Sequence, residues 1–270
     1  MIDVAIAAAG ESTQPSVKSL PAPVVEIRDL CRRFGDVLAV SDVSLAVSAG
    51  EVFALIGPNG AGKSTLMKML TTLLPLTSGE ARVAGFDVRR QAGLVRRHIG
   101  YVPQLLSADP DLTGYENMLL SARLYLIPRR ERAERIVSAL AMMDLLDARD
   151  RSVRTYSGGM ARRLEIAQST LHKPAVLFLD EPTVGLDPNG RLAVWRHVRQ
   201  LNEERGTTIV FSTHYMEEAE DLADRIALIS AGRLAAIGKA AELKARHEVA
   251  TLDDLFAKLT GAALAGEGQR

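Results

Sequence analysis

Surplus charge, cysteine, aromatic residues and long apolar runs are what this sequence has least of. Aromatic residues make up 4% of its 270 residues against a hydrophobic share of 47%, so the core has to be aliphatic. The single cysteine, Cys31, excludes an internal disulfide and fits a reducing compartment. Basic and acidic residues cancel, 33 against 33. Bulk attraction to nucleic acid or acidic lipid is therefore missing, and no nucleic-acid partner is expected. No apolar stretch approaches the ~20 residues that span a bilayer, so a membrane role has to come through a partner. The first ten residues lack the basic stretch of a signal peptide. Residues 1–23 read as a mostly disordered leader. No internal repeat is present.

What the sequence does have is a glycine-rich run, Gly57, Pro58, Asn59, Gly60, Ala61, Gly62, Lys63, Ser64 and Thr65. It fits the phosphate-loop pattern G-x-x-x-x-G-K-[ST]. Glycines let the backbone curl until successive N–H groups face phosphate oxygens. Lys63 can then reach the β- and γ-phosphates, and the Ser64 hydroxyl can ligate Mg²⁺. Thr65 and the residues after it open a helix whose positive end faces the anion. The flanks suit the pattern: residues 52–56 form a short apolar run for a buried strand, and residues 66–70 continue as a helix.

Around this motif the chain alternates strand and helix. Residues 24–30, 43–47, 80–84, 99–102, 175–179 and 208–211 read as strands, and 225–229 with 233–237 as a hairpin. Residues 112–171 are mostly of helical pattern. Thr113 and Glu116 form a capping box, Pro128 is a stop, and Ala133, Ile136, Val137 and Leu140 make an apolar stripe. Residues 191–204 and 216–223 read as further helices, and the tail, 239–259, is helical, with a cap at Thr251. This is an α/β nucleotide-binding core with an N-terminal β portion and an inserted helical block.

The run 176–179 ends in Asp180 and Glu181. A buried strand would set Asp180 at the sheet edge beside the phosphate loop, to hold Mg²⁺, and leave Glu181 to orient or deprotonate a water. Ser157, Gly158 and Gly159 precede another helix and make a second anion site. One chain does not need two γ-phosphate sites; two copies sandwiching ATP do.

Gly57 to Thr65, Gln104, Ser157 to Gly159, Asp180 with Glu181, Gly185 to Asp187, and His214 stand in the order and spacing of the ATP-binding cassette (ABC) ATPases, and the chain resembles that family over residues 24–237. Tyr156 and Met160 replace the leucine and glutamine more usual at the ends of the signature loop. Residues 156–164, Tyr-Ser-Gly-Gly-Met-x-Arg-Arg-Leu, are instead similar to the ATPase subunits of type-2 exporters, the daunorubicin, antibiotic-resistance and nodulation-type group.

The resemblance implies a P-loop NTPase core of RecA-like fold over residues 24–240, with a helical subdomain at about 105–160 and a tail from 241 to 270. It implies ATP and Mg²⁺ as cofactors. Gln104 would match the glutamine that touches Mg²⁺ or the attacking water. Asp187 would lie at the dimer interface, in addition to starting a helix before Pro188. His214 would contact the γ-phosphate, and Phe34 would stack on adenine where tyrosine is more usual. The partners implied are a separate membrane permease, docked near residues 104–115, and a second ATPase subunit, taken to be an identical copy. The implied place is the cytoplasmic face of the cell membrane, as a peripheral subunit. The function implied is powering export of a drug, lipid or glycan; an importer subunit and a soluble non-transport ABC ATPase are the alternatives.

Overall fold

The computed structural model describes residues 23–261. The leader assignment falls outside these, except for Pro23, which pairs with Ser48 in the first strand. The last nine residues of the tail also lie outside them.

The chain begins with a long hairpin, β1 (Pro23–Phe34) and β2 (Val37–Ser48), followed by β3 (Val52–Ile56), α1 (Lys63–Leu70), β4 (Ser78–Val83), β5 (Phe86–Asp87), α2 (Ala92–His98) and β6 (Ile99–Val102). Then come α3 (Gly114–Leu124), α4 (Arg129–Met142), two 3-10 turns and α5 (Gly158–Thr170). The order returns to strand and helix with β7 (Val176–Asp180), α6 (Pro188–Arg205), β8 (Thr208–Thr213) and α7 (Met216–Leu222). It closes on the hairpin β9 (Arg225–Ser230) and β10 (Arg233–Gly238), then α8 (Ala240–Arg246) and α9 (Leu252–Thr260).

Two sheets result. One is antiparallel, in the order β2-β1-β4-β5; the other has six strands, β10-β9-β3-β8-β7-β6, parallel except for β10 at its edge. Every residue of β3, β7 and β8 is buried, as a parallel sheet covered on both faces requires. Alternate side chains divide between two cores. Ala54, Ile56, Leu177, Leu179, Ile209 and Phe211 face the helices α4 to α6 and the tail. Phe53, Leu55, Phe178 and Val210 face α1 and the antiparallel sheet. Each of these side chains larger than Ala54, fully buried, contributes on the order of 1.5–3 kcal/mol.

Local chemistry sets the helix ends. Thr113 accepts from the Glu116 N–H while the Glu116 carboxylate takes the Thr113 N–H, a complete capping box. Pro188 occupies the first turn of α6, and Gly206 ends that helix in the left-handed region at φ 64°. Three expectations shift. The helix after the phosphate loop starts at Lys63, not Thr65. In α4 the buried stripe is Ile136, Ala139 and Leu140; Ala133 and Val137 face outward. The tail is two helices separated by residues 248–250, and the expected cap at Thr251 opens the second, its hydroxyl accepting from the Asp254 N–H.

The parallel register decides where chemistry can gather. Ile56 pairs with Thr213, Asp180 with Ser212, and Val102 with Leu179. The segments leaving β3, β8, β7 and β6 therefore exit at one edge, the carboxyl end where open α/β sheets place their ligands.

Candidate nucleotide site

The loop after β3 curls through positive φ at Gly57 (151°) and Gly62 (104°). A Cβ on Gly57 would stand 2.2 Å from the Ile229 carbonyl oxygen, and one on Gly62 would stand 2.6 Å from that of Ala39. Only glycine fits at either place. The Gly232 N–H, from the turn between β9 and β10, bonds the Ala61 carbonyl at 2.9 Å and fixes the far side of the loop. Gly62 caps α1 without a side chain, and no acidic residue stands in its first turn. The first N–H groups of that helix are thus left to an anion.

Lys63 folds back under this loop. Its Nζ donates to the carbonyls of Gly57 (2.7 Å) and Pro58 (3.1 Å) and lies 3.3 Å from Glu181 Oε1. Burial pushes the ammonium pKa below its ordinary range, while Glu181 and Asp180 pull it back up. Glu181 follows β7 at φ 47°, and its N–H bonds Ser212 Oγ at 3.0 Å. That sharp turn delivers its carboxylate to three side chains: Lys63, His214 Nδ1 at 3.2 Å and Gln104 Nε2 at 3.5 Å. Asp180 ends the strand itself. Its Oδ1 accepts from Ser64 Oγ (3.0 Å) and Ser212 Oγ (2.6 Å), and its Oδ2 from Tyr101 OH (3.5 Å). Burial, and then the Asp180 charge, push the Tyr101 hydroxyl pKa above its ordinary range, so it stays a donor.

These groups border a cleft of about 310 Å³ lined by Ala39, Asn59, Gly60, Ala61, Gly62, Lys63, Ser64, Thr65, Gln104 and Glu181. Backbone N–H groups, one ammonium and small side chains suit a polyphosphate. The donors beside it, Ser64 Oγ, Asp180 and the Gln104 amide, are hard ligands of the kind Mg²⁺ takes. Among the described residues no group of three or more His, Cys, Asp or Glu could hold a metal ion. One carboxylate with a hydroxyl and phosphates is how Mg²⁺ is usually held, so the residues fit that ion.

The structure does not bring every expected residue to the cleft. Ser157, Gly158, Gly159 and Asp187 lie apart from it. Ser157 caps α5, its Oγ accepting from the Met160 N–H at 3.2 Å, and both Ser157 and Gly158 are exposed. This lip adjoins the start of α6: a Cβ on Gly158 would meet Leu186, and one on Gly159 would meet Gly190. Asp187 stands there as the exposed N-cap of α6 and makes no side-chain capping bond. Phe34 is 42% exposed, not core, and one face of its ring lies 4.4 Å from the Arg32 guanidinium.

The sequence left Ser212, Tyr101 and Ala39 unremarked. Ser212 would have been found only by pairing β7 with β8 in register.

A family model described as ABC transporter matches residues 40–184. A daunorubicin resistance ATP-binding protein of Streptomyces coeruleorubidus is 47% identical over 79% of this chain and 67% of its own length. The Nod factor export ATP-binding protein I of Rhizobium meliloti is 41% identical over 83% of this chain and 68% of its own. Among solved structures, an ATP-binding subunit of an ABC transporter superposes with a TM-score of 0.78 at 28% identity, over 88% of this chain and 99% of that one. A dimeric post-hydrolysis state of an ATP-binding cassette, bound to ADP and phosphate, gives 0.71 at 27% identity, over 80% of this chain and 98% of that one.

Proposed function

This chain belongs to the ABC transporter family, and from that membership we propose that it is the ATP-hydrolysing subunit of an exporter, powering transport of a drug, lipid or other hydrophobic or glycan cargo. One observation carries the reading: a single buried carboxylate, Glu181, meets Lys63, His214 and Gln104 at the mouth of the phosphate loop. That is where a water attacking a γ-phosphate has to be held.

The roles follow from the contacts. Lys63, anchored on its own loop carbonyls, presents its charge to the β- and γ-phosphates. Phe34 offers its open face to adenine. Glu181 takes the proton of the attacking water. His214 holds that carboxylate in place and reaches toward the γ-phosphate, and Gln104 orients the water from the other side. Ser64, Asp180 and Gln104 would hold Mg²⁺. When bound, the ion would supply neutralisation of the phosphate charge. Ser157, Gly158 and Gly159 of a second copy close over the nucleotide, with Asp187 beside them at the junction.

Transport needs a permease. Among the described residues no helix is long and apolar enough to cross a membrane. Leu105 and Leu106, directly after Gln104, are 81% and 54% exposed and give a permease helix an apolar seat near residues 104–115. The chain would then work at the cytoplasmic face of the membrane as a peripheral subunit.

Glu181→Gln tests the core of this reading. It should keep ATP binding, slow turnover by at least ~10²-fold and accumulate an ATP-bound dimer on gel filtration. Hydrolysis at the wild-type rate would remove Glu181 from the role of base.

A further inference from the structure

The helix that carries the Ser157 lip also grips the loop that carries Gln104. Arg162 lies five residues after Ser157, roughly 8 Å along α5. Its guanidinium is buried, and its fork spans two main-chain oxygens: Nη1 donates to the Pro103 carbonyl at 2.6 Å and Nη2 to that of Gln104 at 2.6 Å. Nη1 also donates to Glu165 Oε2 at 2.9 Å. Glu165, equally buried, turns its other oxygen to the same loop and accepts from both Ser107 N–H and Ser107 Oγ. An ion pair inside one helix therefore takes hold of the segment 103–107 at both ends.

Helix stability does not require this arrangement. Two charges removed from water are repaid only by well-aligned partners, and apolar residues of similar volume commonly serve a core as well. Every hydrogen-bond partner of this pair outside α5 belongs to the Gln104 loop, and beyond it only the charge of Asp180 acts on the guanidinium. Nearby packing points the same way. A Cβ on Gly100, in the strand leading to Gln104, would stand 2.5 Å from the Ser169 carbonyl oxygen of α5, so strand and helix already touch without a gap. The clamp carries that contact past the strand end into the loop.

We propose that Arg162 and Glu165 are positioning residues that fix the root of Gln104 to the lip-bearing helix, so that engagement of the lip by a second copy's nucleotide is delivered through Gln104 to Glu181 of the same chain. The path is short and continuous: Ser157 caps α5, Arg162 holds the Gln104 carbonyl, and Gln104 Nε2 reaches Glu181 at 3.5 Å. This rests on the reading of Gln104 and Glu181 as parts of the hydrolytic site.

The test is a mutant cycle on the full chain, read as steady-state ATPase and nucleotide affinity. The clamp is removed as a unit, Arg162→Met with Glu165→Leu, so that no unpaired charge stays buried. This variant should bind nucleotide within about twofold of wild type and lose about tenfold in kcat. Adding Gln104→Ala to it should cost less than about twofold more, although Gln104→Ala alone is costly. Losses that multiply in full, or a wild-type kcat in the clamp variant, would overturn the proposal. Gln104→Ala alone at the wild-type rate would overturn something different, the place of Gln104 in the site, and the clamp with it. Should the double variant fail to fold, Arg162→Lys enters the same cycle. It keeps the charge beside Glu165 but not the fork across two carbonyls, so a smaller kcat loss with the same non-additivity is expected; full multiplication there would again sink the idea.

Discussion

At the scale of the residue, Gly62 shows how little freedom the cleft leaves. Its φ of 104° strains any L side chain, and the space a Cβ would take holds the Ala39 carbonyl oxygen at 2.6 Å. That oxygen belongs to the backbone of β2 and cannot rotate away. Gly62→Ala should therefore cost more than ~1 kcal/mol of stability. For a domain of this size that is a fall of about 2–4 °C or more in Tm, measurable by differential scanning calorimetry. An unchanged Tm would mean the loop and β2 are not packed as described. The same residue shows what a sequence discloses. Gly62 and Lys63 stand out because the phosphate-loop pattern is local: nine consecutive residues state their own geometry. Asp180 and Glu181 stand out because an apolar run ends on them. Ser212 does not, because its bond to Asp180 is made across two strands whose register no local pattern fixes. The Arg162 clamp is hidden for the same reason. Charged residues at 162 and 165 look like a solvated helix face until the loop from 103 to 107 is laid over them.

At the scale of the element, length and burial decide what was legible. The fully apolar runs of β3 and β7 declare themselves, since a strand buried on both faces has no polar alternation to confuse it. The helix α2 does not. It has seven residues, one of them buried, Val95, and ends on Arg96, Arg97 and His98, too brief for a helical period to emerge. Of the stripe expected on α4, Ile136 and Leu140 are buried, whereas Ala133 and Val137 face outward and Ala139 takes the core, because Ala133 and Val137 fit the helical spacing as well as Ala139 and only tertiary packing chooses between them. The tail is a clearer case. Leu252, Leu255 and Phe256 fall on one face of α9, all buried against the core that includes Met216 and Ala219 of α7. Leu255 is fully buried, so Leu255→Ala should destabilise the protein by about 2–5 kcal/mol. The helix stands clear of the nucleotide cleft, so nucleotide affinity below the melting temperature should not change. A chemical denaturation curve beside a binding titration would check both. Loss of affinity at full folding would tie the tail to the site.

At the scale of the whole molecule, the decisive fact is a separation. Phosphate loop, Gln104 and Glu181 share one cleft, while the Ser157 lip stands outside it, exposed and seated against the start of α6. On the function proposed above, a second copy arranged about a twofold axis would complete both surfaces, each lip over the other copy's cleft. Ser157→Arg tests this. The new side chain adds bulk and charge at an exposed position, and it removes the capping bond from Met160 N–H, a loss of about 1 kcal/mol. Ser157→Ala removes the same bond and the hydroxyl that the lip would offer the nucleotide, but keeps the backbone of Gly158 and Gly159 and adds neither bulk nor charge. In a Glu181→Gln background, where turnover no longer empties the site, Ser157→Ala should still elute as a dimer with ATP. Ser157→Arg should elute as a monomer, yet bind nucleotide within about twofold of the parent. If Ser157→Arg abolishes binding to the monomer, the lip closes on the nucleotide of its own chain. If it dimerises as the parent does, the surface where two copies meet lies elsewhere, and the clamp from Arg162 to Gln104 has nothing to transmit.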